Sequence, residues 1–192
     1  MIGLSGTALF AGIQFVFLDR DGVINHKAPE GAYVYQWYDF HPLPGAEFAI
    51  AALNRSGKRV IVLTNQRGIA LGLYSRADVE SLHAQLQKHL AKHGAHIDAF
   101  YVCPHDKKQC DCRKPKTGLL KQAFRDFPEA TTANSLVIGD SLSDIQAAHS
   151  FGLPSILIQY GPQTRSADAE KATSLTTVVA SSLLEAVETF LF

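Results

Sequence analysis

Every cysteine of the chain falls in the string CPHDKKQCDC, as Cys103, Cys110 and Cys112, with His105 after the first of them. The spacing is C-x-H-x4-C-x-C. Three thiolates and one imidazole make a closed tetrahedral set for Zn²⁺. No position is then left for water, so such an ion is structural and folds a loop too short to hold itself. Buried free thiols or a redox pair would account for cysteines. Neither explains His105, nor why no cysteine stands elsewhere. Arg113 and Lys114 follow at once, so the ion would aim two cations.

A second set is acidic. FLDRDGVIN places Asp19 and Asp21 two apart, with Gly22 to turn the backbone, and GDSLSD adds Asp140 and Asp144. Carboxylates this close repel and need a cation or a shared proton. Oxygen donors with no histidine among them suit a hard ion such as Mg²⁺. A carboxylate can also attack phosphorus and form an aspartyl-phosphate. A neighbouring carboxyl would then protonate the leaving oxygen and later deprotonate a water. An isolated D-x-D reads more simply as a turn or a helix cap. Here it is one cluster of several. In LTNQRG, Thr64 and Asn65 can donate to phosphate oxygens without adding charge. Lys114 is the fixed cation that phosphoryl transfer in a carboxylate-rich site requires. Arg113 could grip a second anionic group in bidentate fashion. Adjacent residues of an extended segment point to opposite sides, so one of the two is expected to reach the transferring phosphoryl. Pro115 is expected to start the next helix.

These clusters need elements to position them. Short apolar runs recur at 13–18, 59–64, 97–102, 135–139 and 154–158. Runs without alternation suit strands covered on both faces, as in a parallel sheet. Helical stretches lie between them: 44–57, ending at Gly57; 75–94, opening with Ser75 and Asp78 as a capping box; 117–127; 143–152; and 181–192. Alternation of this kind predicts a doubly wound α/β fold, with a mainly parallel sheet of five strands or slightly more and helices on both faces. Residues 160–175 read as a polar surface loop. The ligand of such a fold sits beyond the carboxyl ends of the strands, and the four polar clusters follow four of the runs. The whole chain, 1–192, reads as one domain without a large cap, with residues 1–12 a flexible lead. The seven other histidines carry no role, and those on the 75–93 helix read as solvated.

Lys plus Arg and Asp plus Glu both number 18, so no global field collects nucleic acid or an anionic membrane. The first 18 residues carry no charge, yet no basic n-region precedes them. Ser5, Thr7, Gln14 and three glycines also dilute the run below the roughly 20 apolar residues of a span. Clustered cysteines argue against a disulfide scaffold. A cytoplasmic, monomeric enzyme for a small phosphorylated metabolite is expected.

The combination of DRDG (19–22), Thr64, Lys114 and GDSLSD (139–144) resembles the haloacid dehalogenase superfamily of aspartate-nucleophile phosphatases. The resemblance implies Asp19 as nucleophile and Asp21 as general acid/base. It implies Mg²⁺ on Asp19, the Asp21 backbone carbonyl and Asp140. Thr64 and Lys114 would hold the phosphoryl, and Asp144 would position Lys114. A zinc loop joined to CRKP and preceded by TNQ is similar to a narrower group, over residues 13 to about 160. That group holds the D-glycero-D-manno-heptose 1,7-bisphosphate 7-phosphatases and the histidinol-phosphate phosphatases. DRDGVIN and TNQRGIALGLYS favour the former, and the four-residue gap from His105 to Cys110 is similar to the latter. The heptose enzyme is the first expectation. Polynucleotide 3′-phosphatase and a non-catalytic zinc-stabilised module stand behind. The aromatics of 25–41 would cover a sugar ring or anchor their own segment.

Overall fold

The structure, a computed structural model, describes residues 10, 12–161 and 166–192. Six parallel strands form one sheet: β1 (Phe15–Leu18), β2 (Arg59–Asn65), β3 (Ala99–Cys103), β4 (Ser135–Gly139), β5 (Ser155–Ile158) and β6 (Val178–Ala180). Their order is β3-β2-β1-β4-β5-β6. The register pairs Leu18 with Val62 on one side and with Ile138 on the other. β1 and β4 therefore end within one residue of each other while β2 runs three residues further, to Asn65, and the loops that leave them meet over one edge. The order reverses between β1 and β4, the switch point at which such sheets bind ligands.

Six helices cover the sheet: α1 (Ala46–Arg55), α2 (Arg76–Ala91), α3 (Gly118–Asp126), α4 (Leu142–Phe151), α5 (Ala167–Leu175) and α6 (Leu183–Phe190). Strand residues alternate between two cores. Val16, Leu18, Val60 and Ile138 pack under α1, α2 and α6. Phe15, Phe17, Ile61 and Val137 pack under α3 and α4. Ile145, Leu157 and Ala172 join α4, β5 and α5. The runs are apolar throughout because both faces are covered.

The helix signals work as the sequence suggests. Ser75 and Asp78 form a reciprocal capping box on α2. Gly57 and Gly152 adopt positive φ at helix ends. Three expectations need correction. Residues 160–175 are not all loop, because α5 occupies 167–175, with the Ser166 side chain accepting from the Ala169 amide. β3 begins at Ala99, two residues later than the apolar run, because Asp98 turns back to accept from the Val60 amide. Pro115 precedes α3 by three residues instead of opening it. The expectation for residues 1–12 falls outside the described residues, apart from Phe10, which is buried, and Gly12, which is exposed.

Candidate active site

Asp19 follows the last residue of β1, and Asp140 the last of β4. Thr64 and Asn65 close β2, and Cys103 closes β3. Asp21 stands two residues past Asp19 on a tight turn. Gly22 holds φ +91° there, and a β-carbon at this position would lie 2.0 Å from Asp140 Oδ2. Only glycine allows the turn to press against that carboxylate. Gly139 does the same for the other side: a β-carbon would lie 2.2 Å from Asp144 Cβ.

Lys114 is buried at the centre. Its three N–H bonds meet Asp144 Oδ1 at 2.7 Å, Asp19 Oδ1 at 3.0 Å and the Leu63 carbonyl at 2.6 Å. Burial alone would lower its pKa, but Asp144 and Asp19 more than offset that and raise it. Asp144 is itself fixed by the N-cap of α4, where Ser141 N and Oγ donate to its Oδ2. Burial opposes its ionisation, yet Lys114 and Ser141 hold its carboxyl below the usual range. Asp19 moves the other way. Burial first, then Asp144, push it up to about 7 against the pull of Lys114. Burial pushes Asp140 up to about 6.

The acidic set fits a hard divalent ion. Oxygens of Asp19, Asp140 and Asp144 lie within 4.8 Å of one another. Asp140 Oδ1 is buried without a hydrogen-bond partner among the described residues. Its other oxygen has drawn in the Lys27 ammonium at 2.5 Å, a cation supplied by the chain. Asp144 is committed to Lys114 and Ser141, so Asp19 and Asp140 are the freer donors.

Asp21 is held apart from that set. Arg20 donates to it from Nε and Nη2 at 2.9–3.2 Å, Asn25 at 2.9 Å and Gln66 at 3.1 Å. Gln66 Nε2 also donates to Thr64 Oγ1 at 2.8 Å, which leaves the Thr64 hydroxyl hydrogen to give away. Asn65 does something its sequence position did not reveal. Its carboxamide clamps the Lys114 backbone, accepting from N at 3.1 Å and donating to O at 3.2 Å. One amide hydrogen remains for a ligand.

Cys103, His105, Cys110 and Cys112 gather as expected, with their ligand atoms within 4.8 Å of one another. Sulfur–sulfur distances of 3.1–3.6 Å are far from the roughly 2.0 Å of a disulfide. Burial, and the neighbouring thiols after it, push Cys112 well up, and burial raises Cys103. Despite burial, hydrogen bonds from Cys112 and the Arg113 amide hold Cys110 below its usual value. Three sulfurs and an imidazole converging on one point fit a closed zinc set. The loop is tied to the sheet end through Asp106, which pairs with Arg67 at 2.5 Å. Arg113 follows, with Nη1 buried and unpaired among the described residues. Lys114 rather than Arg113 reaches Asp19, as the alternation of an extended segment requires.

Four residues of the site escaped the sequence reading: Arg20, Lys27, Gln66 and His83. Arg20 is fully buried, and its Nη1 approaches His83 Nε2 at 3.4 Å. His83 stacks on Phe100 with ring centroids 4.1 Å apart. It is not solvated, contrary to expectation. It lies three or four residues from Val79 and Leu86 on the apolar stripe of α2, the signal that could have found it. The aromatics of 25–41 anchor: Tyr35 stacks on Tyr74 at 4.7 Å, and Trp37 on Phe40 at 5.2 Å. Tyr33 reaches a cleft of about 260 Å³ that Asp21, Lys27, Glu30 and Asn65 also line.

Carboxylates gathered around the buried Lys114 at the switch point of a parallel sheet are the arrangement that the resemblance to phosphatases of the haloacid dehalogenase type implies. The hydrolase-like model of that superfamily matches residues 111–186. A D-glycero-α-D-manno-heptose-1,7-bisphosphate 7-phosphatase of Mycobacterium bovis is 47% identical over 72% of this chain and 74% of its own. The β-anomer enzyme of Vibrio cholerae is 39% identical over 88% and 91%. A crystal structure of the D,D-heptose 1,7-bisphosphate phosphatase from B. bronchiseptica, complexed with magnesium and phosphate, superposes with a TM-score of 0.82 at 32% identity, covering 93% of this chain and 98% of that one. The chain belongs to the heptose-bisphosphate phosphatase family of haloacid dehalogenase-like hydrolases. Among the described residues, no helix is long and apolar enough to cross a membrane.

Proposed function

We propose that the chain removes the 7-phosphate of a D-glycero-D-manno-heptose 1,7-bisphosphate by way of a phosphorylated Asp19. The observation that carries this is the meeting of Asp19, Lys114 and Asp140 at one strand edge, on a chain similar to enzymes named for that reaction. An Asp19 oxygen attacks phosphorus, and the bond from phosphorus to the sugar oxygen breaks. Asp21, oriented by Arg20, Asn25 and Gln66, gives that oxygen a proton. A water then loses a proton to Asp21 and attacks the same phosphorus, which frees Asp19 and inorganic phosphate. Lys114 and the Thr64 hydroxyl hold the phosphoryl oxygens, assisted by the free Asn65 amide hydrogen. Mg²⁺, held by Asp19, Asp140 and the Asp21 carbonyl, neutralises charge on those oxygens when bound. Zn²⁺ on Cys103, His105, Cys110 and Cys112 shapes the loop that presents Arg113. The buried, unpaired Arg113 Nη1 suits the second phosphate of the substrate.

The α-anomer is the first choice, since the relative named for it shares 47% identity and the one named for the β-anomer 39%. A substrate panel tests the reading. With Mg²⁺ present, kcat/KM for the heptose bisphosphates should exceed that for histidinol phosphate and for a 3′-phosphorylated oligonucleotide by about tenfold or more, the worth of one additional charged contact. Histidinol phosphate in the lead would overturn the substrate, and Glu30 in the cleft would then be its partner. Full activity without Asp19 would overturn the chemistry.

A further inference from the structure

A third group of metal-ligating side chains lies on α1 and α2, helices that supply none of the residues above that touch Asp19 or the cysteines. Glu47 stands in the first turn of α1. His89 is in the last turn of α2, and His93 in the turn just beyond. One ligand atom from each lies within 4.8 Å of the others. Tetrahedral nitrogen and oxygen ligands on Zn²⁺ sit roughly 3.3 Å apart, so small side-chain rotations would close the set. The histidines are four apart and share a helical face.

The hydrogen bonding singles out the lone pairs. His93 Nδ1 lies 3.1 Å from the His89 carbonyl. A carbonyl only accepts, so Nδ1 carries the hydrogen and Nε2 keeps its lone pair. Backbone bonds of this kind fix the tautomer of a ligating histidine. His89 Nε2 and Glu47 Oε2 are both buried, and neither has a hydrogen-bond partner among the described residues. With the His89 hydrogen on Nδ1, its Nε2 lone pair and the Glu47 carboxylate are two buried acceptors without a donor, which is costly. A cation satisfies both at once.

We propose that Glu47, His89 and His93 form a second transition-metal site, with three protein ligands and an open fourth position. Two imidazoles and one carboxylate select Zn²⁺ or a similar borderline ion over Mg²⁺. The ion would tie α1 to the end of α2 on the surface where Trp37 rests, its ring 5.6 Å from that of His89. Trp37 belongs to the segment whose Lys27 and Tyr33 line the cleft.

Trp37 is the chain's sole tryptophan and therefore reports on the site. The test titrates Ni²⁺ into protein whose cysteine loop already holds zinc and whose acidic set is saturated with Mg²⁺. Saturable quenching of Trp37 fluorescence is expected, with one calorimetric equivalent. In His93→Ala and Glu47→Gln the quenching should vanish, or its midpoint should move at least tenfold. Phosphatase activity and zinc content should persist in both variants, which shows that they fold. Thiolate-to-nickel absorption separates any exchange at the cysteines. The proposal is overturned if wild-type fluorescence does not saturate, or if both variants quench as the wild type does.

Discussion

Arg20 has no exposed surface, yet its guanidinium is always charged. Its donors are taken by Asp21, by the Val34 carbonyl at 2.6 Å and by His83. A buried charge survives only with such complete pairing. The consequence is an Asp21 carboxylate held in one orientation. Arg20→Lys keeps the charge and loses the fork, so kcat should fall about 100-fold, the cost of misplacing a reacting group by about 1 Å. KM should stay within a few-fold, and steady-state kinetics separate the two. Asp19→Asn should lower kcat on the order of 10⁴-fold or more, as loss of a nucleophile does elsewhere. Its melting temperature without Mg²⁺ should not fall, because the change removes one of several mutually repelling buried carboxylates; activity and melting curves check both halves. At this scale, residues with unusual chemistry for a strand end were legible: Asp19, Asp21, Lys114, Asp140. Arg20 and Lys27 were not. Arg20 stands between two acidic residues, where a basic side chain usually sits in solvent, and its burial is decided by segments far away, such as the Val34 carbonyl it reaches. Lys27 carries no local signal, and only the fold brings it to Asp140.

Helix α2 shows how an element acts on the site. Its apolar stripe carries His83 into the core, where burial and then Arg20 push its pKa down to about 3 from 6.5. Below pH 6.5 the unfolded chain takes up a proton there and the folded chain does not, so stability falls as pH drops toward 3. At pH 5 the loss is about 2 kcal/mol. His83→Gln still offers Arg20 an acceptor and cannot titrate. Denaturant midpoints at pH 7 and pH 5, in Mg²⁺, should show the wild type losing about that much more than the variant. The cysteine loop is the other such element. It has few hydrophobic anchors beyond Cys103, so if zinc holds it as proposed, chelation should raise amide exchange across 104–113 while β1, β2 and β4 stay protected. Elements with strong periodicity or caps were legible, α2 and the central strands above all. α5 and β6 were not, because ADAEKATSL offers a weak apolar face and Val178–Ala180 is too short for a pattern.

Over the whole molecule, the neighbouring strands β1 and β4 bring acidic residues from distant parts of the chain to one edge. The alternation of strand and helix announced a doubly wound sheet, and with it the edge where reactive groups meet. It did not announce the strand order, which depends on how helices on both faces share the two cores. The folded state thereby concentrates negative charge that Lys114 and Lys27 only partly balance; burial first, and the neighbouring carboxylates after it, push Asp19 up to about 7 and Asp140 up to about 6. An ion that binds there binds the folded chain alone, so it must stabilise the whole fold by mass action. Mg²⁺ at 100 times its dissociation constant should add about 2.7 kcal/mol. For a chain of this size that corresponds to a rise of roughly 5–10 °C in melting temperature. The measurement is a thermal melt across a Mg²⁺ series in chelator-free buffer, so that the cysteine loop is undisturbed. Asp140→Asn removes one ligand and relieves part of the repulsion. It should melt no lower than the wild type without Mg²⁺ and gain little from the ion. A wild-type melt indifferent to Mg²⁺ would instead mean that Lys27 already serves as the counter-ion of Asp140.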